Sequence, residues 1–130
     1  MNIETSPRTL SHGTLEVLDL QESTRFYRDF LGFNVSIQAP TVCTLSLQEG
    51  FVIVVLETGK VHEMSLVSHF GIGVASVAEV DRWHERVVSE QERYGISRVT
   101  APRNLHGDYQ FYLLDRDGNW WEFHHPIREA

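Results

Sequence analysis

Two histidines occupy matching places in two copies of one short pattern. The first copy reads Ser11-His12-Gly13-Thr14-Leu15-Glu16-Val17 and leads into Asp19-Leu20-Gln21-Glu22; the second reads Ser68-His69-Phe70-Gly71-Ile72-Gly73-Val74 and leads into Ser76-Val77-Ala78-Glu79. A third element stands near the C-terminus, Asp115-Arg116-Asp117-Gly118-Asn119-Trp120-Trp121-Glu122. Imidazole nitrogens suit transition metals and a carboxylate adds a charged oxygen donor. His12, His69 and Glu122 are therefore the ingredients of a divalent-metal site. Taken singly, each has an ordinary explanation, since a histidine near a strand start often caps or hydrogen-bonds and a glutamate beside aromatics is usually solvated. Their agreement on a strand face favours the metal. Side chains alternate along a strand, so Leu15 and Val17 face away from His12, Ile72 and Val74 form an apolar face opposed to His69, and Trp121 and Phe123 oppose Glu122. Each apolar set can pack on helices and leave the ligand on the far face.

The elements that must position these residues follow from caps and periodicity. A strand is expected from Thr9 to Val17, then a helix capped by Asp19 with Glu22 three places on, its stripe formed by Phe26, Tyr27, Phe30 and Leu31 and its end at Gly32. Strands follow at Phe33–Gln38, Val42–Leu47 and Phe51–Glu57, with Gln48-Glu49-Gly50 as a turn. The second module repeats the order: a strand Ser68–Val74, a helix Val77–Tyr94 capped by Ser76 and Glu79, and strands near Arg98–Ala101, Asp108–Leu114 and Trp120–His124. Val80, Trp83, Val87 and Val88 are expected on that helix's buried side. The fold class is α+β: two βαβββ modules forming a curved mixed sheet with helices on its outer face. The 130 residues read as one domain, with module one about 9–57, a linker 58–67 and module two about 68–126.

Composition narrows the partners. A net charge of −7 and no basic cluster argue against nucleic acid or an anionic membrane as partner. A lone cysteine, Cys43, in an expected strand rules out a disulfide framework and reads as a small buried filler. Residues 1–8 are polar and expected to fray, and no signal peptide or membrane-length apolar run is present, so the chain reads as cytoplasmic.

The run from His12 to Phe33, H-x-x-L-x-V-x-D-L-x-x-S-x-x-F-Y-x-x-x-L-G-F, and the run from Phe111-Tyr112 to Glu122 with its D-x-D-G-N turn resemble the vicinal oxygen chelate superfamily, also called the glyoxalase, bleomycin-resistance and extradiol-dioxygenase family. The resemblance extends over about residues 9–126. It implies paired βαβββ modules whose cup-shaped mixed sheet opens around a divalent metal, with His12, His69 and Glu122 at the metal positions, and chemistry in which a substrate chelates the metal through two neighbouring oxygens. Members of this size are mostly dimers, which implies a homodimer acting on a small molecule. Many relatives add a fourth ligand from the last strand of module one. Here Glu57 comes late for it, and the equivalent positions, Ile53 to Val55, offer no donor. Three ligands with open positions suit non-haem Fe(II), with Mn, Zn or Ni as other occupants. An extradiol-type ring-cleavage dioxygenase acting on a catechol-like aromatic therefore leads. Trp120 and Tyr112 are expected to hold the ring, and His106, His124 and Tyr112 to handle substrate protons. The alternatives are an oxygen-independent glyoxalase-like lyase or epimerase and a metal-free drug-binding resistance protein. A fosfomycin-type enzyme ranks lower, because its phosphonate-clamping Lys and Ser residues are absent and Arg98, Arg103 and Arg116 make no convincing clamp by sequence alone. His62, His84 and His125 read as surface residues.

Overall fold

Asp19 and Ser76 each start a helix where the two copies of the pattern place one. Asp19 Oδ1 accepts from the amides of Gln21 and Glu22 at 3.0 and 3.3 Å. Ser76 Oγ accepts from Glu79 N at 3.1 Å, while the Glu79 carboxylate reaches back to Ala75 N at 3.2 Å. Amides at a helix start lack intrahelical partners, and these oxygens satisfy them. The computed structural model describes residues 6–127, so the frayed start expected over 1–8 lies partly outside the described residues. The chain divides into two compact units, Met1–Lys60 and Val61–Ala130, parted within the expected linker.

In the first unit, β1 (His12–Val17) leads to α1 (Leu20–Arg25), then to β2 (Asn34–Ala39), β3 (Val42–Ser46) and β4 (Val52–Glu57). The sheet order is β1-β4-β3-β2, parallel between β1 and β4 and antiparallel elsewhere. The helix continues past α1 as a π-helical turn, Phe26–Phe30, in which Leu31 N reaches back five residues to Phe26 O at 3.1 Å. Phe26, Tyr27, Phe30 and Leu31 are buried as expected, and Gly32 ends the helix at φ 82°. Cys43 is fully buried in the core, and that burial pushes its thiol up to about 11, away from reactive thiolate chemistry.

In the second unit, β5 (His69–Gly73) leads to α2 (Val77–Tyr94), then β6 (Arg98–Val99), β7 (Arg103–Leu105), β8 (Asp108–Leu114) and β9 (Trp120–Pro126). The order is β5-β9-β8-β6, with β7 also on β8, and β5 runs parallel to β9. α2 packs on one face: Trp83 stacks on Phe123 with ring centroids 4.5 Å apart, and His84 meets Phe111 edge-on at 5.1 Å. Val80, Val87 and Tyr94 form its buried stripe, seven residues apart. Val88 belongs outside that stripe and is half exposed, because it stands one residue round the helix from Val87.

The strand expected over Arg98–Ala101 breaks. Val99 lies opposite Leu113 and Arg103 opposite Gln110, so the edge strand spends one more residue than β8 over the same stretch. This is a β-bulge, placed where Pro102 has no amide to donate to the ladder. Each unit sets a helix against a mixed sheet, the α+β class read from the sequence.

Candidate functional site

The face of the second sheet turned away from α2 collects the predicted residues in three rows. Directly opposed residues share a face. The first row runs His69, Trp120, Leu114, Arg98; the second Gly71, Glu122, Tyr112; the third Gly73, His124, Gln110, Arg103.

At its centre, His69 Nε2 stands 3.3 Å from Glu122 Oε1. His69 Nδ1 lies 2.8 Å from the Leu66 carbonyl, which only accepts, so Nδ1 carries the proton. The Nε2 lone pair of a neutral ring then faces a carboxylate oxygen. Two electron-pair donors hold that approach only with positive charge between them, a proton or a metal cation. The backbone carbonyl behind the ring is the outer-shell contact typical of a metal-bound histidine. The donor set fits a divalent metal. Tyr112 meets the His69 ring edge-on, centroids 5.0 Å apart, and donates its phenol to Glu122. Burial, then the charge of Glu122 and this hydrogen bond, raise the Tyr112 pKa above the usual phenol value, while Arg103 pulls it down.

His124 lies one row on, its Nδ1 3.6 Å from Asp108 Oδ1. Gly71 and Gly73 leave space for it: a Cβ at Gly71 would stand 3.5 Å from Glu122 Oε1 and 3.7 Å from the His124 ring. Trp120 shares this face but is buried, its indole nitrogen donating to Met64 O at 3.0 Å, so it stands beneath the strap 61–66. His106 lies apart from this group. It occupies the exposed tip of the β7–β8 hairpin at φ 53°, beside Gly107 at φ 84°, and Tyr112 lies further along β8, beyond the first residue of the strand.

The D-x-D-G-N turn is a hub whose role the sequence left unread. Asp115 is buried and accepts from Asp117 N, Asn119 N and Trp121 Nε1 at 2.9, 3.0 and 2.9 Å. Burial pushes its carboxyl up to about 7 against these three donors, which favour the carboxylate. The strap fastens to this turn. Met64 N donates to Gly118 O at 2.8 Å and the His62 Nε2 lies 3.1 Å from Asn119 Oδ1. His62 is thus half-buried with Nδ1 unpartnered, a correction to its reading as linker surface. His84 packs on Phe111, and His125 Nδ1 bonds to Val74 O at 2.9 Å, so neither is plain surface.

In the first unit, His12 is exposed at the start of β1, with Nδ1 3.0 Å from Ser11 Oγ. Glu57 pairs across from Val17, on the apolar side of β1, and its Oε1 accepts from Leu20 N at 2.8 Å. It caps α1 and is committed there. The residue on β4 that matches Glu122 on β9 is Val54, opposite Thr14 as Glu122 is opposite Gly71. Among the described residues, no group of three or more His, Cys, Asp or Glu side chains is gathered to hold a metal ion; His69 and Glu122 meet as a pair. No helix among these residues is long and apolar enough to cross a membrane.

A model of the Glyoxalase/Bleomycin resistance protein/Dioxygenase superfamily matches residues 9–123. No curated protein sequence matches the chain. Among solved structures, a genomically encoded fosfomycin resistance protein from Listeria monocytogenes is 25% identical, with 92% of this chain and 94% of that one covered at a TM-score of 0.71. A glyoxalase/bleomycin resistance protein/dioxygenase from Nocardioides is 21% identical, covering 98% and 89% at 0.73. Lactoylglutathione lyase from Agrobacterium tumefaciens is 20% identical, covering 93% and 96% at 0.69. What these structures share with the chain is the fold.

Proposed function

The chain belongs to the Glyoxalase/Bleomycin resistance protein/Dioxygenase superfamily, and we propose that it is a metal-dependent enzyme that opens the ring of a catechol-like aromatic with O2. The observation that carries this reading is Val54. With an apolar side chain at the position matching Glu122, and Glu57 engaged at α1, the ligand set stops at three: His69, Glu122 and, from the first unit of one chain or another, His12. Three protein ligands leave open positions for both oxygens of a chelating substrate and for dioxygen. Ferrous iron held there would supply Lewis acidity and a route for charge from ring to oxygen.

The chain's own residues do the rest. The Leu66 carbonyl fixes the tautomer that leaves His69 Nε2 free to ligate. Tyr112 holds the Glu122 carboxylate through its phenol and presents its ring edge beside the substrate. His124, steadied by Asp108, takes the hydroxyl proton of the substrate and returns it to the ring-opened acid, in which both oxygen atoms of O2 end. The hairpin tip favours His124 over His106 for this transfer. Trp120 backs the His69 row from beneath the strap. The working particle is a homodimer, supported by the edges that both sheets leave open, β1 and β2 in one, β5 and the β6–β7 side in the other; light scattering checks it.

The decisive test is anaerobic purification, metal analysis and an oxygen electrode. The expected result is about one iron per chain and one O2 consumed per catechol opened, with a yellow product. Iron-loaded protein that takes up no oxygen across a catechol panel, yet converts a thiohemiacetal or an epimerisable thioester, is a lyase or isomerase. Protein without bound metal is a binding protein.

A further inference from the structure

We propose that Arg103 is a specificity residue of this site and receives a carboxylate carried by the substrate, so that the preferred aromatic is an acid rather than a neutral catechol; this rests on the ring-cleavage reading above. The bulge at Ala101–Pro102 carries the inference. In unbroken register, Pro102 would stand opposite Gln110 and Arg103 opposite Tyr109, on the side packed by α2. The extra residue re-aims Arg103 onto the face of Gln110, His124 and Gly73. Bulges beside active sites commonly serve to turn a side chain in this way.

A further observation agrees. The Arg103 side chain makes no ion pair or hydrogen bond among the described residues, in a chain with 18 acidic side chains to 11 Lys and Arg. Arg25, Arg82 and Arg93, by contrast, pair with glutamates one turn away, and Arg86 lies over Trp83. An unneutralised guanidinium on the face that holds Glu122 is a docking point for an anion. β7 stands two strands from β9, roughly 10 Å between backbones, a span that a benzenoid ring and a reaching arginine side chain can fill together. The chemistry is a carboxylate rather than a dianion. One planar fork matches two carboxylate oxygens, and Arg98, the other arginine on this face, lies opposite Leu114, roughly 13 Å further along β8 than the row of Gln110.

The test compares anaerobic binding of 3,4-dihydroxybenzoate and 4-methylcatechol to iron-loaded protein by quenching of tryptophan fluorescence. Wild type should bind the acid about tenfold tighter. Arg103→Gln should erase that preference while leaving the 4-methylcatechol affinity and the circular dichroism unchanged. Arg103→Lys should keep part of the preference, and Arg98→Gln all of it. Equal binding of both probes by wild type, or a preference that survives Arg103→Gln or is lost in Arg98→Gln, overturns the assignment and leaves ring cleavage standing. Failure of both probes to bind overturns the catechol reading and this assignment with it.

Discussion

At matching rows of the two sheets, β1 and β4 place His12 beside Val52, Thr14 beside Val54 and Glu16 beside Leu56, whereas β5 and β9 place His69 beside Trp120, Gly71 beside Glu122 and Gly73 beside His124. Backbone pairing is the same; the side chains divide the labour. In the first unit the last strand offers apolar, branched residues on this face, and the polar side chains, His12, Thr14 and Glu16, all stand on β1. In the second, the last strand offers aromatic, carboxylate and imidazole, and its parallel neighbour gives up side chains so that they have room. Duplication supplies two equivalent scaffolds, and chemistry is concentrated by emptying one strand to load the next.

The strongest way to break the contrast is to make the second sheet resemble the first. Glu122→Val should weaken metal binding by roughly a hundredfold or more while the fold survives, because a ligand is lost from a preformed sheet; competition against a chromogenic chelator reads it. Asp115 tests a difference in the turns, since it is buried whereas Glu49 in the Gln48-Glu49-Gly50 turn of the first unit is exposed. Asp115→Asn exchanges one acceptor oxygen for a donor facing buried amides and should cost about 2 kcal/mol in denaturant melts. The pH dependence has a definite sign. A carboxyl raised from 3.8 to about 7 holds a proton in the folded state that the unfolded chain has released. Its contribution to stability is therefore full below pH 3.8 and declines as pH rises towards 7, and Asp115→Asn should flatten that decline.

The reciprocal exchange, Val54→Glu, sharpens the contrast. A fourth ligand, now a second carboxylate, should preserve bound metal but reduce oxygen uptake about tenfold by filling a position that substrate or O2 needs. The smallest effect belongs to Gly71→Ala. Its Cβ would make ordinary contacts at 3.5 and 3.7 Å, so stability should change by less than about 1 kcal/mol and metal affinity only a few-fold, both measurable on one preparation.

Much of this was legible in the chain because local signals agreed. Ser76 and Glu79 mark the start of α2, and alternation put His69, Glu122, His124 and Tyr112 on one face. Other features depend on contacts far apart in sequence. Glu57 reads as a stray carboxylate until β4 brings it to Leu20 N, and Trp120 reads as a ring platform until Met64 covers it. β7 was missed because a bulge breaks the period-two pattern that identifies a strand. Asp115 carried one available signal, an aspartate two residues before Asp-Gly and six before a tryptophan able to donate to it.

The strap over Trp120 sets an order of events in folding. Its anchor points, Gly118, Asn119 and Trp120, leave the ribosome some 56 residues after His62, Met64 and their neighbours. Gly118 admits the strap only as glycine, since a Cβ would stand 1.9 Å from the His62 carbonyl oxygen. Closing so long a loop is entropically slow, so these contacts belong to the late stage of folding. Residues 61–66 should therefore stay open to proteases until the last hairpin arrives, so cleavage there in nascent chains would time completion of the second unit.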